Sequence, residues 1–595
     1  MTMLARKMRL RLLPSIAATV IAAAVLVSCQ HTPQSADSAP APATLPDANT
    51  HAAFQNGWRF QQGVPASFGE HAMVVSNSML ASEAGVEILK QGGNAVDAAV
   101  ATGFALAVTF PFAGNIGGGG FMNIRMADGQ SAAIDYREVA PLASTRNMYV
   151  DANGKLTDKS TVGYLASGVP GAVAGLTEAL KKYGTLSLAK VMAPAIRLAH
   201  DGFVVDSAFS RSLNGSKRLV SQFEGRSLFF PNGNVLAPGA RLVQPDLARS
   251  LSLIAAEGAN AFYRGSIADS LAADMRRGGG IITKADLANY TPVWRTPIRS
   301  TYRGYTLFTM PPASSGGITM TESLNVLENF APLPPFGSTQ YVHLLTESYR
   351  RAFTDRNQTL GDPAFIKNPV DKLISKSYAK TLAAQIEPSR ASKTAAFNAG
   401  VEPTNTTHYS VVDAMGNAVA TTTTLNGGFG SGVWVRGGGF FMNNEMDDFA
   451  AQPGSPNMFG LVQGESNAIQ PGKRMLSAMS PTIVLDQQGK LLMVTGAAGG
   501  PTIITATMEV ILNVIEFHMT LSDAMRAPRM HHQALPDTIR VEADGFSGAV
   551  LDSLKGMGHA VREQTGLANV NSILRVAGGW HGVREPRSVG GAVGY

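Results

Sequence analysis

Apolar and polar positions along the chain alternate with periods that change from one stretch to the next. Residues 80–91 carry apolar side chains at helical spacing and stop at Gly92-Gly93, which predicts a helix and its end. Asn94 is of N-cap type, and residues 95–108 are Ala, Val, Leu and Phe on nearly every face. A helix apolar all round predicts burial between layers. Residues 121–125 read as a strand behind the run Gly117-Gly118-Gly119-Gly120. That run lacks a following Gly-Lys-Ser/Thr and GxGxxG spacing, so it predicts close backbone packing rather than a phosphate cradle. Residues 170–400 read mostly as helix, with strands near 301–309, and 391–403 are polar and small enough to predict exposure. Then the character changes. Residues 409–412 alternate, Ala414-Met415-Gly416-Asn417 supplies a turn, and 418–424 are rich in β-branched residues, which predicts a hairpin. Strands are expected at 439–442, 482–485 and 491–495, and a helix near 504–517. Strand-rich layers with helices outside them predict a layered α/β sandwich.

The first residues differ. Arg6, Lys7, Arg9 and Arg11 lead into an apolar run at 12–27, the layout of a secretory signal. The run is shorter than the ~20 residues a spanning helix needs. It ends Leu26-Val27-Ser28-Cys29, which resembles a bacterial lipobox; in that pattern Cys29 is lipidated and begins the mature chain. Pro33, Pro40, Pro42 and Pro46 among small polar residues predict a flexible tether. Gln30, rather than Asp, resembles the sorting pattern for the outer membrane, which implies a lipid-anchored protein at the periplasmic face of a Gram-negative cell. The expected division is 1–28 signal, 29–71 lipidated cysteine and tether, and one body from 72 onward.

Composition narrows the chemistry. Cys29 is the single cysteine of 595 residues, which excludes an intramolecular disulfide and any cysteine-based zinc or iron–sulfur site. The net charge of +6 includes four basic residues of the signal, so the body is near neutral. With no long Lys/Arg run, no nucleic-acid partner is expected. His531-His532 has no carboxylate at ligand spacing, and neither metal nor cofactor is expected. GxSxG and HExxH signatures are missing, as is SxxK with its partner motifs.

The informative stretch is Asn405-Thr406-Thr407-His408-Tyr409-Ser410. A polar linker delivers a small hydroxyl residue to the start of a strand, the layout of an N-terminal nucleophile hydrolase precursor. In such a precursor the hydroxyl attacks the preceding carbonyl and the chain is cut. The freed α-amine, with a pKa of about 7.7–8.0, then serves as base for the hydroxyl on its own residue. A threonine at a strand start also occurs for purely structural reasons, and the spacing alone does not separate the two.

Longer motifs do. Thr406-Thr407-His408-Tyr409-Ser410-Val411-Val412-Asp413, Asn443-Asn444-Glu445-Met446-Asp447-Asp448-Phe449 and Ser480-Pro481-Thr482-Ile483 resemble the small subunit of γ-glutamyltransferases. Gln91-Gly92-Gly93-Asn94-Ala95-Val96-Asp97, Ala113-Gly114-Asn115-Ile116-Gly117 and Asp135-Tyr136-Arg137-Glu138 resemble the large subunit. The resemblance runs from about residue 72 to Tyr595. It implies a four-layer αββα sandwich of the N-terminal nucleophile hydrolase type. Cleavage between Asn405 and Thr406 would give a large part (29–405, whose folded portion is 72–405) and a small part (406–595) that stay together as a heterodimer.

It also implies roles. Thr406 is the nucleophile, and Thr424 hydrogen-bonds its hydroxyl. Arg137 clamps the substrate α-carboxylate, for which a guanidinium fork is suited, and Ser477 assists. Glu445 and Asp448 receive the α-ammonium, helped by Asn426, while Asp447 is structural. Gly499 and Gly500 offer backbone N–H groups to the oxyanion. Three positions depart from the pattern: Ala478 replaces a second serine, Met475 a proline, and Phe459 the tyrosine of a lid at 452–464. The lid keeps its apolar cover and loses a hydroxyl that could latch onto Asn426. The implied activity moves the γ-glutamyl group of glutathione or a related amide to water, an amino acid or a peptide. Two other readings are a cephalosporin-acylase-like amidase, whose glutaryl-type substrate lacks the α-ammonium, and a non-catalytic solute-binding lipoprotein, which a processing motif does not suit.

Overall fold

The computed structural model describes residues 52–394 and 406–595; Cys29, the signal, most of the tether and Asn405 lie outside them. Fourteen strands form two seven-stranded antiparallel sheets. In the first the order is Ser67–Gly69, Gly579–Val583, Ser572–Val576, Leu491–Thr495, Thr482–Leu485, Tyr305–Thr309, Ile298–Tyr302. In the second it is Gly591–Gly594, Met73–Ser76, Thr407–Val412, Ala418–Thr424, Gly119–Arg125, Ser131–Asp135, Val293–Arg295. Both sheets mix strands from before and after residues 395–405, so neither is complete without the other half of the chain.

An apolar seam joins the sheets face to face. Met73, Val75, Val412, Ala418 and Ala420 of the second sheet meet Ile483, Val494 and Ile573 of the first. The helix Ala95–Thr109 covers the second sheet through Thr407–Val412 and Ala418–Thr424, and every one of its residues is buried. Asn94 and Asp97 form its capping box, and Asp413 from the hairpin turn accepts the Ala95 N–H at 2.8 Å. The helices Gly316–Leu327 and Thr502–Ile515 share a core with Val484, Met493 and Leu574 of the first sheet. The α/β class and two-sided covering follow from the patterns noted above. Among the described residues no helix is long and apolar enough to cross a membrane.

Three expectations change. Residues 439–442 form no strand; Trp434 and Phe441 make one isolated bridge. Gly437 and Gly439 adopt φ of 68° and 74°, which ends extended backbone, and Phe441 stacks on Phe229 with centroids 5.4 Å apart. The strand Thr407–Val412 is buried at all six positions rather than alternately, because both faces of its sheet are covered. Residues 391–394 are not a free polar stretch: Ala391 is buried, and the Thr394 N–H donates to Asp537 at 2.8 Å.

The glycine run packs backbone on backbone. A Cβ at Gly117 would lie 2.1 Å from the Phe441 carbonyl oxygen, and one at Gly118 would lie 2.1 Å from that of Thr424. Asn115 holds the same place, donating to the Thr424 carbonyl at 2.9 Å. The run therefore presses the large half of the chain onto the end of the strand that carries Thr424.

Candidate active site

The hairpin register pairs Thr407 with Thr423, and the neighbouring strand pairs Gly119 with Thr424. Thr406 is thereby set beside Thr424, and their hydroxyl oxygens are 3.2 Å apart. The Asn426 N–H donates to Thr424 Oγ1 at 2.8 Å. Among the described residues no titratable side chain hydrogen-bonds the Thr406 hydroxyl. His408 is committed to Thr422 at 2.8 Å and Ser410 at 3.1 Å, and burial lowers its pKa to about 3, so it is neutral. No imidazole stands ready to take the Thr406 proton.

Arg137 follows the strand Ser131–Asp135, and its backbone is pinned. Its N–H donates to Asp135 at 3.0 Å and its carbonyl accepts from the Tyr290 hydroxyl at 2.9 Å. Its side chain is buried and pairs with both Glu445 and Asp448, with Glu138 at 3.7 Å. Of the three acids, Glu138 is the most distant from the guanidinium. Burial raises the pKa of Glu445 and Asp448 against the pull of Arg137, and raises Glu138 to about 8. Three carboxyl groups thus surround one guanidinium, and neither oxygen of Glu138 has a hydrogen-bond partner among the described residues. Such a cluster favours a further cation.

Gly500 lines the same cavity as Thr406, and Gly499 precedes it. Among the described residues neither N–H has an acceptor, while the Gly499 carbonyl accepts from the Thr502 hydroxyl at 2.7 Å. The φ angles are 141° and 57°, so both need glycine. A Cβ at Gly499 would meet Thr502 Oγ1 at 2.5 Å and Ala568 Cα at 3.0 Å. Gly499→Ala is expected to displace the turn and lower kcat by about 10²–10³-fold, the usual cost of one oxyanion donor. Steady-state kinetics with little change in KM would show it; an unchanged kcat would remove these glycines from the reaction.

Ser477 Oγ accepts the Met479 N–H at 3.1 Å, which leaves its proton for a ligand. Ala478 lines the cavity beside it and offers only a methyl group. Asn426, at φ 74°, donates from Nδ2 to the Asn444 carbonyl at 3.0 Å. Phe459 closes the cavity from the segment 452–464. Asn426 Nδ2 lies 3.7 Å from Met458 Sδ of the same segment. The Met458 N–H donates to Asp447 at 2.9 Å, and Ser160 donates to the other oxygen of Asp447 at 2.8 Å. Asp447 thus holds the lid. The cavity these residues line measures about 20 Å³.

The structure brings together Thr406, Thr424, Arg137, Asn426, Glu445, Asp448, Phe459, Ser477 and Gly500 around one cavity. Sequence reasoning missed Arg356, which lines it too, and Met458. It did not bring in His531 or His532, which are buried and bonded to Thr505 and Asp537. Among the described residues, His343, Glu347 and His559 are grouped closely enough for a cation. His343 and His559 instead hydrogen-bond each other at 2.8 Å, and Glu347 takes Arg351 at 2.7 Å.

The glutathione hydrolase proenzyme of Escherichia coli (strain K12) is 47% identical to this chain over 529 residues, 87% of this chain and 91% of its own. The acylase ACY 1 proenzyme of Pseudomonas sp. (strain SE83) is 41% identical over 528 residues, 87% of this chain and 90% of its own. The solved cephalosporin acylase from Bacillus halodurans superposes with a TM-score of 0.81 at 28% identity, covering 91% of this chain and 99% of that one. The family model described as Gamma-glutamyltranspeptidase matches residues 81–595, a span that includes every residue around the cavity. This chain belongs to the γ-glutamyltranspeptidase family.

Proposed function

We propose that this protein is a self-cleaving γ-glutamyltransferase and hydrolase that acts on glutathione or related γ-glutamyl amides. The observation that carries the reading is the cluster of Arg137, Glu445 and Asp448 on the wall of the cavity that holds the Thr406–Thr424 hydroxyl pair. A γ-glutamyl group carries one carboxylate and one ammonium on the same carbon. On binding, its carboxylate takes the guanidinium of Arg137 and the Ser477 proton. Its ammonium takes Glu445 and Asp448, supplying the cation that the three buried carboxyls lack.

The chain is first cut when Thr406 Oγ attacks the Asn405 carbonyl. The peptide shifts from nitrogen to oxygen, and water hydrolyses the ester. The products, 29–405 and 406–595, remain one four-layer αββα body, since both sheets need strands from each. The freed α-amine accepts the Thr406 proton as Oγ attacks the γ-carbonyl. The oxyanion faces the N–H groups of Gly499 and Gly500, and the leaving amine departs with the proton. Water or an amino acid then attacks the ester on Thr406 and regenerates the hydroxyl. The export signal and lipidation at Cys29 would place this chemistry at the periplasmic face of a membrane, through a lipid anchor alone.

The likeness to acylases favours a second reading, an amidase for glutaryl-type amides. One assay separates the two. A γ-glutamyl anilide and its glutaryl analogue are offered to the same preparation, whose fragments are followed on a denaturing gel. The γ-glutamyl compound is expected to be better by about 10- to 100-fold in kcat/KM, because the glutaryl group leaves Glu445 and Asp448 without a charged partner. Equal or better turnover of the glutaryl compound transfers the assignment to the acylase. Turnover of neither by a single uncut chain supports a binding protein.

A further inference from the structure

The cavity holds a second arginine that the clamp does not use. Arg356 sits near the end of the helix Thr339–Thr359, is 1% exposed and lines the cavity with Thr406, Arg137, Ser477 and Ala478. Its Nε donates to Ser315 Oγ at 2.9 Å, and its Nη1 to Asn357 Oδ1 at 2.8 Å and Gln463 Oε1 at 3.3 Å. All three partners are neutral. Its Nη2 is buried and donates to nothing among the described residues. Arg529 and Arg474, also buried, pair with Glu585 at 2.9 Å and with Asp135 at 3.4 Å, whereas Arg540 and Lys473, like Arg356, bond neutral oxygens. Burial lowers Arg356 to about 10, with Asp448 pulling the other way, so it stays charged at neutral pH.

A buried cation with an unused donor costs stability unless something fills the place. We infer that Arg356 is a second anchor for the α-carboxylate of the γ-glutamyl group, its Nη2 taking one carboxylate oxygen on the wall where Ala478 offers no hydroxyl. The inference rests on the γ-glutamyl reading above. Nε and Nη1 tie two edges of the fork, so the third is held ready without loss of side-chain freedom on binding. The same ties organise the neighbours. Ser315, which accepts from Arg356, donates to the Ser477 carbonyl at 2.6 Å. Gln463, another of its acceptors, donates to the Asp448 carbonyl at 3.1 Å.

The test compares two anilides in the processed enzyme: γ-glutamyl, and 4-aminobutanoyl, which keeps the ammonium and lacks the α-carboxylate. Arg356→Met is expected to lower kcat/KM for the γ-glutamyl compound by roughly 10- to 100-fold, mostly through KM, and to leave the 4-aminobutanoyl compound within a few-fold. Preference for the carboxylate-bearing substrate shrinks by the same factor. Arg356→Lys keeps a charge without the fork; it should recover part of that preference, and it carries the comparison if the methionine variant does not fold. Equal losses on both substrates in the variant that folds would show that Arg356 only shapes Ser477 and Asp448, and would overturn the inference. Unchanged γ-glutamyl kinetics would do the same. Failure of the wild-type enzyme to turn over the γ-glutamyl anilide would instead remove the underlying reading of the site.

Discussion

Thr406→Ala is expected to accumulate as one uncut chain with no measurable γ-glutamyl turnover. Among the described residues the Thr406 hydroxyl hydrogen-bonds only Thr424, at 3.2 Å, and the imidazole of His408, on the strand that follows, is neutral and occupied. Without Oγ there is nothing on that strand to attack the Asn405 carbonyl, and without the cut no α-amine is released to serve as base. Two functions therefore disappear with one oxygen. Thr406→Ser keeps the oxygen and loses the methyl group that restricts its rotamer, so it should process more slowly and retain reduced activity. Denaturing gels and anilide kinetics on wild type and both variants check this. A fully processed Thr406→Ala protein would remove Thr406 from the cleavage.

Arg137→Met should cause the next largest loss, in binding and in stability together. Its guanidinium stands among Glu445, Asp448 and Glu138, all buried. Removing one partner of a buried, hydrogen-bonded charge pair costs about 2–5 kcal/mol. In kcat/KM for a γ-glutamyl anilide that is roughly 30- to several-thousand-fold. Stability falls through the same cluster. Folded-state pKa values raised above the unfolded ones give stability that is present at low pH and is lost as pH rises through the folded value. In the wild type this applies to Glu138, raised to about 8, and in direction to Glu445 and Asp448. Without Arg137 the main charge that offsets their burial is gone, leaving Arg356 near Asp448, so the variant should lose stability more steeply than wild type between about pH 5 and 9. Thermal unfolding across that range reads it, and parallel curves for the two proteins would contradict the cluster.

The hairpin that carries Thr406 was legible because its signals are local: β-branched residues on one arm and Met415-Gly416-Asn417 at the turn. The buried helix Ala95–Thr109 was legible for the same reason, with Asn94 and Gly93 marking its start. The false strand at 439–442 shows the limit of local pattern. Apolar Phe440 and Phe441 look extended, but two left-handed glycines and an aromatic cluster around Phe229 decide the backbone. Arg137 lies 308 and 311 residues from Glu445 and Asp448, and only the family motifs suggested that the three share a site; their direct pairing is a finding of the structure. Arg356 had no signal at all. In its helix it follows Glu347, Arg350, Arg351 and Asp355, a charged series that reads as a solvated face until tertiary packing buries it.

The most direct test is intact-mass spectrometry with N-terminal sequencing of wild-type protein quenched during turnover of a γ-glutamyl anilide. The expected small fragment begins Thr406-Thr407-His408 and, in part of the sample, carries one γ-glutamyl group on its first residue. A single chain that turns over substrate, or a γ-glutamyl group on any residue other than Thr406, would contradict the N-terminal threonine mechanism.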